Sequence, residues 1–115
     1  MAFTKIEAAR IQGALSDFLG TRRPPEHIRA EFDIGFRVEG QSVVIFELRR
    51  TWREPGAIIE GPVAKATYVR GINRWKIFWQ RADRKWQTYP PQPEALIFEE
   101  FLALVDEDKG SCFWG

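Results

Sequence analysis

Three groups of residues in this sequence could do chemistry. The first is the stretch RWKIFWQRADRKWQTYP, Arg74 to Pro90, which sets three of the chain's five tryptophans among five cations. Aromatic faces stack on nucleic-acid bases and cations meet phosphates, so such a surface suits a single strand. The second is a pair of carboxylates, Asp33 and Glu47. Two carboxylates opposed on neighbouring strands repel unless something neutralises them, and a magnesium ion would do so. The third is Cys112 with His27, the chain's only Cys and only His. A thiolate nucleophile needs a base within hydrogen-bond reach, and nothing in the spacing brings these two together.

The positions of these groups depend on the elements that carry them. FTKIEAARIQGALSDFLG reads as a helix. Thr4 and Glu7 have capping-box spacing, and Ile11, Ala14, Leu15, Phe18 and Leu19 form one apolar face. Gly20 is the expected stop. AEFDIGFRVEGQSVVIFELRRTW reads as a hairpin. Its two apolar sets share a face if Phe36 lies opposite Val44, Ile34 opposite Phe46 and Phe32 opposite Leu48, around a loop from Glu39 to Gln41. That register places Asp33 opposite Glu47 and Glu31 opposite Arg49.

Three more strands follow. A turn near Gly71 and Ile72 sets Tyr68 opposite Trp75, Ala66 opposite Ile77 and Ala64 opposite Trp79, small against large. A turn near Ala82 and Asp83 sets Trp79 opposite Trp86. Trp75, Trp79 and Trp86 then fall on the core face with Ile77. The other face carries Lys65, Thr67, Val69, Arg74, Lys76, Phe78, Gln80, Lys85, Gln87 and Tyr89. The candidate nucleic-acid contacts are Lys65, Arg74, Lys76, Phe78, Lys85 and Tyr89. A plainer reading makes this a solvated face, a subunit interface, or a face covered by an acidic helix.

PEALIFEEFLALVDED reads as a second helix, with Pro93 near its first position and Ile97, Phe101, Leu104 and Val105 as its stripe. GSCFWG then closes the chain, its aromatics expected against the sheet. The fold class is α+β: one domain over residues 1–115, an antiparallel meander of about five strands flanked by an N-terminal and a C-terminal helix.

Composition narrows the functions. With 115 residues, 44% of them hydrophobic, the chain can bury a core without staples. A single cysteine rules out an internal disulfide, and one Cys with one His cannot build a zinc site. No apolar run approaches the roughly 20 residues that span a bilayer. The N-terminus lacks the apolar segment of a secretion signal, so a cytoplasmic protein without membrane contact is expected. Charge is uneven: residues 1–61, 62–91 and 92–115 carry 0, +6 and −5. GxSxG, GxGxxG and Walker loops are absent, which leaves serine-hydrolase and nucleotide-fold readings without support.

Three stretches carry a resemblance. FDIGFRVEGQSVVIFELRRTW, PVAKATYVRGINRWKIFWQRADRKWQTYPP and GSCFWG resemble the small bacterial domain-of-unknown-function family 3024. The run from Ala64 through Trp86 is the most specific part. The resemblance implies a standalone bacterial domain and assigns no catalytic residue and no cofactor. The order of helix, strand with Asp33 and strand with Glu47 is also loosely similar to the PD-(D/E)xK nucleases. Arg49 stands where that pattern has lysine, and arginine does not give up a proton near neutral pH. The sequence thus favours a binding module over an enzyme. Nucleic acid is its expected partner, a protein partner or homodimer the alternative, and a metal-dependent nuclease using Asp33 and Glu47 the enzyme alternative.

Overall fold

The computed structural model describes residues 3–51 and 56–114. Trp52, the expected end of the first hairpin, and Gly115 lie outside the described residues. Helix α1 (Lys5–Arg22) starts as its sequence demands: the Thr4 hydroxyl accepts from the Glu7 amide, and the Glu7 carboxylate accepts from the Thr4 amide. It runs past Gly20 to Arg22. Nothing forces a left-handed turn at Gly20, and the helix stops where Pro24 and Pro25 forbid its continuation.

A short 3₁₀ turn (Glu26–Ile28) leads into strands β1 (Phe32–Glu39), β2 (Ser42–Arg50) and β3 (Ile58–Val69). A second 3₁₀ turn (Arg70–Ile72) leads to β4 (Arg74–Gln80) and β5 (Trp86–Thr88). Strand β6 (Glu94–Ala95) and helix α2 (Phe98–Glu107) complete the order. The strands form one antiparallel sheet in the order β1-β2-β3-β4-β5, with β6 pairing β4. The architecture is α+β, as the sequence indicates.

The β3–β4 register sets Tyr68 against Trp75, Ala66 against Ile77 and Ala64 against Trp79, as expected. The other two expected registers are each off by one. In the first hairpin Phe36 pairs with Ile45, Ile34 with Glu47 and Phe32 with Arg49. The loop is two residues, Gly40 and Gln41, because Glu39 pairs with Ser42. Gly40 has φ +59° and Gln41 keeps a negative φ, the signature of a type II′ turn, which matches the twist of its strands. In the last hairpin Gln80 pairs with Trp86 and Trp79 with Gln87. There Arg81 and Lys85 close a three-residue turn whose last residue, Arg84, is left-handed at φ 65°.

Both helices pack on one face of this sheet. The core joins Ile11, Leu15 and Phe18 of α1 with Phe98, Phe101, Leu102 and Val105 of α2 over Val43, Ile45, Ala64, Ala66, Trp75 and Ile77. Helix α2 begins at Phe98 and not near Pro93, because Glu94 and Ala95 are drawn into the sheet beside Lys76 and Trp75. Its buried stripe is therefore Phe98, Phe101, Leu102 and Val105, while Ile97 is exposed. The closing aromatics do tuck in. Asp108 ends α2 in the left-handed region, and its carboxylate accepts from the Phe113 and Trp114 amides, both at 3.0 Å. Phe113 is thereby buried against Tyr89.

Candidate nucleic-acid interface

The sheet face turned away from the helices holds the candidate site. Paired residues of antiparallel strands share a face, so Val44, Lys65 and Phe78 lie side by side across β2, β3 and β4. Lys76 and Arg74 follow along β4, and Trp86 joins from β5. Phe46 lies further along β2, past a bulge after Ile45. Val44 is 2% exposed yet sits outside the main core cluster. It anchors a small second cluster under the long side chains of this face.

Lys65 is the centre of that cluster. Its ammonium lies 5.0 Å from the Phe78 ring centre and 4.9 Å from that of Trp86. Burial among these rings lowers its pKa, with Glu39 acting in the opposite sense at longer range. No carboxylate among the described residues lies within ion-pair distance of it. The ring faces therefore hold the charge. Arg37 flanks the cluster over the Phe46 ring, 5.4 Å from its centre, and is ion-paired to Glu39 and Glu60. Lys76 meets Glu94 at 3.3 Å, and the Arg74 guanidinium turns back to the carbonyls of Ile72 and Asn73. An acid thus enters a face expected to hold none, because β6 pairs with β4 there.

Four of the six residues expected on this face are there: Lys65, Arg74, Lys76 and Phe78. Tyr89 is not. It is 1% exposed and packs with Phe113 in the core, where burial raises its pKa. Lys85 belongs to the β4–β5 turn and is exposed, with its amide bonded to the Asp83 carboxylate. The one-residue shift exchanged two aromatics: Trp86 moved to the open face and Tyr89 to the core. Sequence reasoning also missed Phe46 and Arg37, which the corrected first register brings to the same face.

The carboxylate pair is not assembled. Asp33 pairs with Leu48 and Glu47 with Ile34, so the two project to opposite faces of the hairpin. Asp33 receives the Arg23 fork at 2.8 and 2.7 Å, which holds its carboxyl below the usual range against the raising effect of burial. Glu47 meets Arg49 at 3.1 Å, and Arg49 also stacks over Phe32. Among the described residues no group of three or more His, Cys, Asp or Glu side chains could hold a metal. The Cys112 thiol points to the Gly110 carbonyl at 3.8 Å.

Fold and site together define a two-layer α+β domain, with two helices on one face of an antiparallel meander and an aromatic, cationic patch on the other. The chain belongs to the family described as domain of unknown function DUF3024, whose family model matches residues 3–115. No curated protein and no solved structure matches it. No described helix is long and apolar enough to cross a membrane.

Proposed function

We propose that the chain is a small cytoplasmic binding module that takes single-stranded nucleic acid on its open sheet face. One observation carries this reading: Lys65 held between Phe78 and Trp86 on a face that neither helix covers. Open antiparallel sheets with helices behind them bind single strands by stacking bases on strand aromatics. Phe78 and Trp86 are both half-buried, so each offers a ring already fixed in place. Lys65, Lys76 and Arg74 supply positive charge beside them. Among the described residues Lys65 has no carboxylate partner to surrender, so it is the cation best placed to meet a phosphate.

Anisotropy titration with labelled single-stranded DNA and RNA at low salt tests the reading. Binding should weaken with salt, with a slope of about −0.7 per phosphate neutralised. Phe78→Ala and Trp86→Ala should each weaken binding by roughly 1–3 kcal/mol, the usual stacking contribution of one base. Absence of binding to either nucleic acid at low salt would remove this reading and leave the face to a protein partner.

A further inference from the structure

Among the described residues strand β1 is the one long edge of the sheet. Its free side is capped at a single amide, that of Ile34, which donates to the Arg23-bound Asp33 carboxylate at 2.8 Å. Edge strands are normally blunted by shortness, proline, bulges or charged side chains, and of these β1 carries only charges, of both signs. The opposite edge is blunted: β5 and β6 have three and two residues, among Pro90, Pro91 and Pro93. The part of β3 that extends beyond β4 carries Gly61 and Pro62 next to the Ile45/Phe46 bulge. By contrast β1 has eight residues, no proline and an unbroken ladder to β2.

The hydrogen-bond phase decides what that edge offers. The Arg50 amide donates to the Glu31 carbonyl, so Glu31 and Arg50 are a bonded pair. Antiparallel ladders alternate bonded and non-bonded pairs. Asp33, Gly35, Arg37 and Glu39 therefore bond inward to β2. Phe32, Ile34, Phe36 and Val38 turn their N–H and C=O groups to the free side, where the Ile34 amide meets the Asp33 carboxylate.

The run Phe32-Asp-Ile-Gly-Phe-Arg-Val38 is self-complementary when reversed. Turned about Gly35, it sets Phe32 against Val38, Ile34 against Phe36 and Asp33 against Arg37. That register also obeys the hydrogen-bond phase, since Ile34 with Phe36 and Phe32 with Val38 are all outward-bonding residues. Asp33 and Arg37 fall in non-bonded pairs, where side chains come closest. Gly35 falls on Gly35, where bare backbones can approach. Shifting the pairing two residues toward the C-terminus sets Asp33 against Glu39. Shifting it four residues either way sets Asp33 or Arg37 against itself. Glu31 and Glu39 bracket the run and would repel in the favoured register, which ends the pairing at Phe32 and Val38.

We propose that β1 pairs with β1 of a second copy of this chain, antiparallel about Gly35, with Asp33 of each copy opposite Arg37 of the other. The proposal stands apart from the nucleic-acid reading. Asp33 Oδ1 already accepts from Arg23 and the Ile34 amide, and Oδ2 from Arg23, which leaves a lone pair on Oδ2 for the partner's guanidinium. Pairing would pass the Ile34 amide to the partner's backbone and draw Arg37 from Glu39 and Glu60 toward the partner's Asp33. Helix α1 leaves room: a groove of about 300 Å³, lined by Gln12, Ser16, Gly20 and Phe36 among others, separates it from β1. A two-fold axis normal to the sheet would join both open faces into one surface.

Sedimentation equilibrium over a concentration series tests this. The parent should shift from the 13.4 kDa chain mass to twice that value with rising concentration. Asp33→Arg and Arg37→Asp should each be monomeric, because each opposes like charges across the axis. Mixing the two variants should restore the dimer, since every Arg then meets an Asp. Should either charge variant fail to fold, Val38→Pro serves instead. It removes an outward N–H that bonds nothing in the monomer, and it should keep the melting transition while losing the dimer. A parent that stays monomeric throughout overturns the proposal. So does a dimer that survives all three substitutions, or folded charge variants that do not associate when mixed.

Discussion

Gly35 and Phe46 are paired across the first two strands, and the Phe46 ring lies over Gly35 where a side chain would begin. A Cβ at Gly35 would sit 2.7 Å from Phe46 Cε2. The glycine lets the ring lie flat on the open face beneath Arg37. Gly35→Ala should push the ring off the strand and cost about 1–3 kcal/mol, as small-to-large changes in packed sites do. In a Phe46→Ala background the same substitution should cost much less, because its clash partner is gone. Denaturant unfolding of the four proteins in that cycle checks the coupling. Additive effects would mean that ring and glycine do not share the space.

The exchange of Trp86 for Tyr89 is testable through stability. Trp79 lies on the core face against Ala64, so Trp79→Ala should cost roughly 3–5 kcal/mol. Trp86 lies on the open face, so Trp86→Ala should cost about 1 kcal/mol, near the centre of ordinary point-mutant effects. Thermal melts that ranked the two in reverse, or gave both the larger cost, would return Trp86 to the core.

Glu7 ties the start of α1 to the β3–β4 turn. Its carboxylate accepts from Arg70 at 3.0 and 2.7 Å and from the Thr4 amide. The Arg70 bonds first, and the Thr4 amide next, lower its pKa from the ordinary 4.5 to about 2. The unfolded chain thus binds this proton more tightly than the folded one. The stabilisation is present in full above pH 4.5 and is lost as pH falls toward 2. Glu7→Gln should lower the melting temperature near neutral pH, and its gap from the parent should close across that acid window. A gap that stays constant with pH would show that the carboxylate charge is not what matters.

Asp108 does two jobs at the end of α2. It takes a left-handed conformation at φ 43°, and it holds the amides of Phe113 and Trp114. Asp108→Ala loses both and should destabilise by about 1–3 kcal/mol, the cost of stranding buried donors. Asp108→Gly relieves the backbone and should cost less. Chemical denaturation of the two variants checks the order. Equal stability would mean that the closing segment docks without this carboxylate.

Much of the fold was legible in the sequence, and the losses that displaced candidate site residues share one cause. The β3–β4 register could be read because Ala64 and Ala66 face Trp79 and Ile77, and only one alignment fits small against large. The first hairpin gave no such lock. Its apolar residues run consecutively from Val43 to Phe46, so two registers place apolar side chains inside, and the turn at Gly40 chose between them. The last hairpin turned on the left-handed Arg84, a residue type that gives no hint of that conformation. A one-residue shift exchanges the faces of a strand. That one error moved Tyr89 inward and Trp86 outward, and its counterpart parted Asp33 from Glu47.

The central claim is that the sheet face away from the helices is the binding surface. A heteronuclear NMR titration with a short single-stranded oligonucleotide at low salt tests it most directly. The account predicts shifts at the Trp86 indole and at the amides of Lys65, Lys76 and Phe78, with the Trp75 indole in the core unmoved. Spectra that do not change on titration, or shifts confined to α1 and α2, would contradict it.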